Sequence, residues 1–215
     1  MASTYRHFCL MARALEVVGD RWSLLIVRDL RYGPRRFTDL ERSVAGISPK
    51  WLTLRLRELE AANIVERDRE EGRREVWYTL TEKGRDLAPA MKALTIWGLK
   101  HARRPPLPGE SVHPQHVMTG VTLALNDLGA RPREPLSWLI RFVPDGTYTL
   151  TFDGEHWRSR PGEEPADLVV ETTPEAWARF LMTTDRRPRI PSDDISLEGS
   201  PAKVAEFVST FGGKR

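Results

Sequence analysis

Ser48-Pro49-Lys50-Trp51-Leu52-Thr53-Leu54-Arg55-Leu56-Arg57-Glu58-Leu59 is the stretch whose reading decides the fold. Serine is a good helix N-cap, and proline suits the first helical position, where its missing N–H would be unpaired in any case. Leu52, Leu56 and Leu59 recur at helical spacing and define a buried stripe. At about 100° per residue, Lys50, Leu54 and Arg57 point the opposite way, flanked by Thr53 and Glu58. The outer face therefore carries cations, a hydroxyl and a leucine. Such a face suits the major groove of double-stranded DNA, where phosphates, base edges and thymine methyl groups are all in reach.

Working outward, three short helices are predicted upstream: Cys9–Val18, Trp22–Leu30 and Phe37–Val44. Tyr32-Gly33-Pro34 ends the second of them. Downstream, Ile64–Arg69 and Glu75–Leu80 are strand-like runs around a polar turn that contains Gly72, with Arg73 and Arg74 at the tip. Thr81 then caps a long helix expected to run to about Arg104, with a disturbance at Pro89. Its apolar residues, Leu87, Met91, Leu94 and Trp97 among them, exceed what a lone surface helix needs. Three helices, an outward-reading helix, a basic hairpin and a long helix make up the order of a winged helix-turn-helix domain.

Five motifs sharpen this: Gly19-Asp20-Arg21-Trp22, Gly33-Pro34-Arg35-Arg36-Phe37-Thr38-Asp39-Leu40, Ile47-Ser48-Pro49-Lys50, Leu56-Arg57-Glu58-Leu59-Glu60 and Tyr78-Thr79-Leu80-Thr81-Glu82-Lys83-Gly84. In this order, over about residues 9–101, the chain resembles the HxlR family of bacterial transcriptional regulators. The resemblance implies a homodimer joined through the first and last helices of the domain, with two recognition helices reading a pseudo-palindrome. Repression is the commoner outcome in that family. The residues assigned to DNA are Arg35, Arg36, Ser48, Lys50, Thr53, Arg55, Arg57, Arg73 and Arg74. Arg55 lies near the flank of the buried stripe, so either a phosphate or an acid of the domain itself can be its partner. Two departures stand out. Cys9 is followed by Leu10 rather than proline, and Glu70-Glu71-Gly72-Arg73-Arg74 replaces a frequent pair of prolines in the wing.

Cys9 is the single cysteine, which rules out an internal disulfide and a thiolate zinc site. A helix N-terminus favours the thiolate, and some relatives sense oxidants or electrophiles with a cysteine at this place. The competing reading is an inert thiol at the dimer face, since the chain has no second cysteine to resolve a sulfenic acid. His113 and His116 offer two imidazoles without a third ligand nearby, so neither a metal nor a cofactor is expected. No phosphate loop, nucleophile–base pair or paired carboxylates point to an enzyme.

With 40% apolar and 29% charged residues, the chain can bury a core. It has no apolar run near the roughly 20 residues of a membrane span, and its N-terminus does not read as a secretory signal. A cytoplasmic home with no membrane partner follows. Residues 1–104 hold 21 Lys+Arg against 14 Asp+Glu, and residues 105–215 hold 12 against 16. The basic half is the one expected to meet a polyanion. The sign changes at Pro105-Pro106-Leu107-Pro108-Gly109, read as an extended, semi-rigid spacer. This divides the chain into 1–104, a linker at 105–112, and 113–215. Pro188-Arg189-Ile190-Pro191 is a lesser break.

The second half reads as a helix over 114–128 with Val117, Val121, Leu125 and Leu128 inward. Strands follow at Trp138–Val143, Thr147–Phe152 and Glu155–Arg160, joined by turns at Asp145-Gly146 and Asp153-Gly154. Leu168–Thr172 is a fourth strand, a helix opens at Thr173-Pro174 and continues through Thr183, Ile195–Gly199 is a short strand, and a last helix ends at Phe211. That order, with Ala166–Glu171 and Ile195–Ser200 ahead of their helices, resembles the sterol-carrier-protein-like fold. The resemblance implies an apolar cavity for a small-molecule effector, and Trp138, Phe142, Trp157, Trp177, Phe180, Leu181 and Phe207 are the candidates to line it; the competing reading is that these side chains simply fill the core. The fold class is α+β, a winged helix-turn-helix domain followed by an α/β-sheet domain. The alternative is a lipid or small-molecule binding protein whose winged helix mediates protein association.

Overall fold

The computed structural model describes residues 5–68, 75–182 and 194–211. Arg73 and Arg74, the polar turn at 70–74, the end of the helix expected through Thr183 and the break at Pro188–Pro191 lie outside the described residues. Two compact units, 1–93 and 94–215, divide the chain within a helix ahead of the proline-rich stretch.

In the first unit, α1 (Leu10–Val18) and α2 (Ser23–Leu30) precede a two-residue strand β1 (Arg35–Arg36), α3 (Phe37–Ser43) and α4 (Pro49–Ala61). Strands β2 (Val65–Asp68) and β3 (Trp77–Leu80) follow, then α5 (Glu82–Arg85); α6 (Ala88–His101) is the helix within which the division falls. Strand β3 is central, antiparallel to β1 on one side and to β2 on the other. Ile26, Val27, Leu30, Leu40, Val44, Leu52, Leu56, Leu59, Ile64 and Leu80 form the core between these helices and the sheet.

The expected long helix is instead two, α5 and α6, and the break falls at Asp86–Leu87, before Pro89. Proline is tolerated in a first turn but not in a helix interior, so the helix restarts to place Pro89 there. The Leu80-Thr81-Glu82-Lys83-Gly84 motif fastens this corner. The Thr81 hydroxyl donates to the Asn63 carbonyl (2.7 Å) and accepts from the Gly84 N–H (3.1 Å). Lys83 Nζ donates to the Ala62 carbonyl (2.8 Å) and Arg85 to the Leu80 carbonyl (2.6 Å). Gly84 is required by proximity: a Cβ there would lie 2.2 Å from the Ile64 carbonyl oxygen.

In the second unit the proline-rich stretch is folded back rather than extended. Glu110 N–H donates to the Leu107 carbonyl (3.0 Å), with Gly109 at φ +76°. Pro108-Gly109 supplies the fixed and the positive φ that such a turn demands. Arg104 grips the Glu110 carboxylate twice (2.7 and 2.8 Å) and the Leu107 N–H adds a third bond (2.8 Å). These contacts hold the Glu110 pKa well down, to about 2.

Helix α7 (Pro114–Asp127) is followed by β4 (Leu136–Phe142), β5 (Gly146–Phe152), β6 (Trp157–Pro161), β7 (Leu168–Thr172), α8 (Pro174–Met182), β8 (Ile195–Gly199) and α9 (Pro201–Phe211). The sheet order is β6-β5-β4-β7-β8, with β4 and β7 parallel and the other pairs antiparallel. The connections at 143–145 and 153–156 are longer than the two-residue turns expected. Gly146 already pairs with Phe142, and Asp153 Oδ1 accepts the N–H groups of both Glu155 and His156. Met118, Val121 and Leu125 are the buried stripe of α7, while Leu128 lies past its end and is exposed. Asn126 ties α7 to the edge strand, donating to the Trp157 carbonyl (2.9 Å) and accepting its N–H (3.0 Å).

Candidate nucleic-acid interface

Helix α4 begins as its sequence demands. Ser48 Oγ accepts the Trp51 N–H (3.4 Å), Pro49 is the first helical residue, and Leu52, Leu56 and Leu59 are buried. Ser48 Oγ thus accepts a capping bond, and its hydroxyl hydrogen stays available to an acceptor. Lys50, Trp51, Leu54 and Arg57 are exposed along the outer side. Among the described residues neither Lys50 nor Arg57 is held in an ion pair. The Thr53 hydroxyl donates back to the Pro49 carbonyl (2.8 Å), which leaves its lone pairs for a donor from outside.

The other arginines of the region divide by partner. Arg55 is only 15% exposed and bridges Glu58 (2.5 Å) and Asp20 (3.5 Å). Of its two possible roles, the structure supports the internal one. Asp20 also accepts the Trp22 N–H (2.9 Å), so the Gly19-Asp20-Arg21-Trp22 motif both starts α2 and steadies α4. Arg36 forms an ion pair with Glu75, and its guanidinium stacks 4.9 Å from the Trp77 ring centroid. Its backbone N–H donates to Asp39 (3.2 Å), which caps α3. Arg35 pairs in register with Tyr78, so both arginines sit on β1 and not in a loop. A strand of two residues carries no alternation for a sequence to display, and its partner lies about forty residues away.

Helix α1 leaves most of its apolar residues in water. Leu10 is 79% exposed, with Met11, Leu15 and Val17 also exposed, and only Val18 is buried; Phe8, just ahead of the helix, is 87% exposed. On α6, Leu94 and Trp97 are exposed, and the Trp97 ring meets His101 (5.3 Å). Cys9 is the N-cap residue of α1, partly buried, and its side chain makes no capping bond. His113 and His116 meet edge to face (5.2 Å), and His113 Nε2 lies 3.1 Å from Ser111 Oγ. Among the described residues no group of His, Cys, Asp or Glu could hold a metal ion, and no helix is long and apolar enough to cross a membrane.

The aromatic residues of the second unit are packed on one another. Trp138 touches Trp157 and Phe207 (5.0 Å each), and Phe207 touches Trp177 (6.0 Å) and Phe180 (6.1 Å). Phe211 and Phe152, not singled out from the sequence, join the cluster. Phe142 pairs with Tyr148 instead (6.0 Å), and Leu181 packs against the core half-buried. Trp157 Nε1 donates to the Ala130 carbonyl (2.8 Å). The Nε1 groups of Trp138 and Trp177 are buried without an acceptor among the described residues.

The sequence profile of the HxlR-like helix-turn-helix family matches residues 17–105. An uncharacterised HTH-type transcriptional regulator of Mycobacterium tuberculosis is 39% identical over 121 residues, which cover 51% of this chain and 75% of that protein. The HTH-type transcriptional regulator YodB of Bacillus subtilis is 41% identical over 88 residues, 40% of this chain and 79% of its own. The solved structure of the HTH-type regulator ytcD is 36% identical and covers 45% of this chain and all of that one, with a TM-score of 0.43.

Proposed function

Because the chain belongs to the family of HTH-type transcriptional regulators with an HxlR-like helix-turn-helix, we propose that it is a dimeric, sequence-specific repressor acting in the cytoplasm. The observation that carries this reading is the outer face of α4, where Lys50 and Arg57 are exposed and outside any ion pair among the described residues. Uncompensated cations beside a helix-turn-helix are matched by phosphates, and phosphate binding releases counterions. Arg35 and the wing residues Arg73 and Arg74 are assigned to the backbone on either side, and Thr53 and Arg57 to the groove. Dimerisation is supported by α1, whose exposed apolar residues need a cover, and a two-fold partner supplies an identical one.

Gel-shift with the chain's own upstream region, followed by selection from random duplexes, tests the reading. The expected complex discriminates its site and weakens steeply as salt rises. Binding that discriminates no site would favour the protein-association alternative. Expression of a reporter placed behind the selected site should fall when the protein is supplied; a rise would replace repression by activation.

We further infer that the second unit, a sheet domain whose sequence resembles the sterol-carrier-protein-like fold, is the sensor of an apolar small molecule. Support comes from Trp138 and Trp177. Each buried indole N–H left unpaired costs about 1–3 kcal/mol, which an occupant with an acceptor oxygen would relieve. The packed rings must open to admit it, and it alters DNA binding only through unequal affinity for the two states of the dimer. Native mass spectrometry of the purified chain should reveal a bound molecule that is lost in a Trp138→Phe, Trp177→Phe double variant. A chain that carries nothing, with a variant at least as stable as the parent, would leave this core as packing alone.

A further inference from the structure

The outer face of α4 is not uniformly polar. Trp51, in the first turn, is 49% exposed, and Leu54, three residues on, is 39% exposed. Neither belongs to the core stripe, which Leu52, Leu56 and Leu59 complete. Among the described residues this apolar surface is covered by no other apolar side chain of the core, and the charges around it, Lys50 and Arg57, suit a polyanion. The major groove holds one apolar group, the thymine C5-methyl. Residues 51 and 54 lie about 4.5 Å apart along a helix axis, close to the 3.4 Å spacing of successive bases on a strand. The Trp51 ring is also held in place. The Arg55 guanidinium lies 5.6 Å from its centroid, and Arg55 is itself fixed by Glu58 and Asp20. An aromatic side chain ordered before contact loses less entropy on binding.

We propose that Trp51 and Leu54 read thymine C5-methyl groups, so that thymines at neighbouring positions of each half-site are specificity determinants. This rests on the DNA-binding reading above. It differs from the contacts assigned to Lys50 and Arg57 because it involves neither a phosphate nor a hydrogen bond, and salt does not weaken it.

The test uses the full chain and duplexes recovered by selection. Each thymine is replaced in turn by deoxyuridine, which removes the methyl group and leaves every hydrogen-bonding edge intact. Affinity is measured by fluorescence anisotropy at fixed salt. One or two positions per half-site should lose about four-fold, the effect of withdrawing one buried methyl, and symmetric replacement in both half-sites about fifteen-fold. In Trp51→Ala or Leu54→Ala the matching position should become indifferent to the replacement, while the salt dependence of binding stays that of the parent. Both side chains are exposed, and the deoxyuridine series on the parent protein decides the matter even where a variant folds poorly. Site-specific binding that no deoxyuridine weakens overturns this inference and leaves the DNA-binding reading standing. Sensitivity that survives both substitutions overturns it too, since another group then holds the methyl. Failure to discriminate any duplex overturns both.

Discussion

Leu10→Asp should separate the proposed dimer while leaving each chain folded. Leu10 is the first residue of α1 and is 79% exposed in the single chain, so the protomer core loses nothing with it. Aspartate in a first turn also interacts favourably with the helix dipole. In a two-fold interface built on α1 each substitution counts twice. Burying a leucine contributes about 1.5–3 kcal/mol, so the dimer should lose about 3–6 kcal/mol, a rise of roughly 10²- to 10⁴-fold in its Kd. Sedimentation velocity across a concentration series reads this directly, with circular dichroism to confirm an unchanged fold. Affinity for a two-half-site duplex should fall as well, because the second recognition helix is no longer delivered with the first. A parent chain that sediments as a monomer at micromolar concentration, or a variant whose Kd is unchanged, would refute the reasoning that the α1 face is covered by a second copy.

Gly84→Ala should destabilise the first unit by about 1–3 kcal/mol or more, because its Cβ would press on the Ile64 carbonyl oxygen; urea denaturation followed at that unit's tryptophans measures it. Lys50→Ala should weaken operator binding and lower the slope of log affinity against log salt by about one, which a salt series checks. The Glu110 carboxyl should titrate at about 2 by carbon NMR and return toward its ordinary 4.5 in Arg104→Ala. Its folded-state pKa is depressed, so the bridge contributes fully above about 4.5 and is lost as pH falls through about 2. Solvent screening keeps that contribution small.

What could be read from the chain alone is what depends on neighbours in sequence. Ser48, Pro49 and the Leu52–Leu56–Leu59 stripe specify α4 within thirteen residues, because capping and helical periodicity act over one to three turns. The same holds for Pro174 and Pro201, each opening its helix, and for the alternation of β5. The Thr81 cap on the Gly84 N–H is likewise local, although the same hydroxyl also reaches the Asn63 carbonyl.

Helical spacing already turns Arg57 outward and sets Arg55 on the flank of the stripe, but only the tertiary structure says which acids meet Arg55. One is Glu58, a turn along α4, and the other is Asp20, brought in from the turn before α2. Tertiary pairing also makes β1 a strand, since its hydrogen bonds come from β3 and not from any pattern of its own. The proline-rich stretch looks like a rod because proline stiffens a chain, yet it turns at Pro108-Gly109, where the Glu110 N–H meets the Leu107 carbonyl and Arg104 pairs with Glu110. The aromatic residues of the second unit could line a space or fill it. That choice depends on how β4, β6, α8 and α9 approach one another, and they approach closely enough for the rings to touch. Sequence spacing says which side of an element a residue occupies, and only packing says what stands opposite.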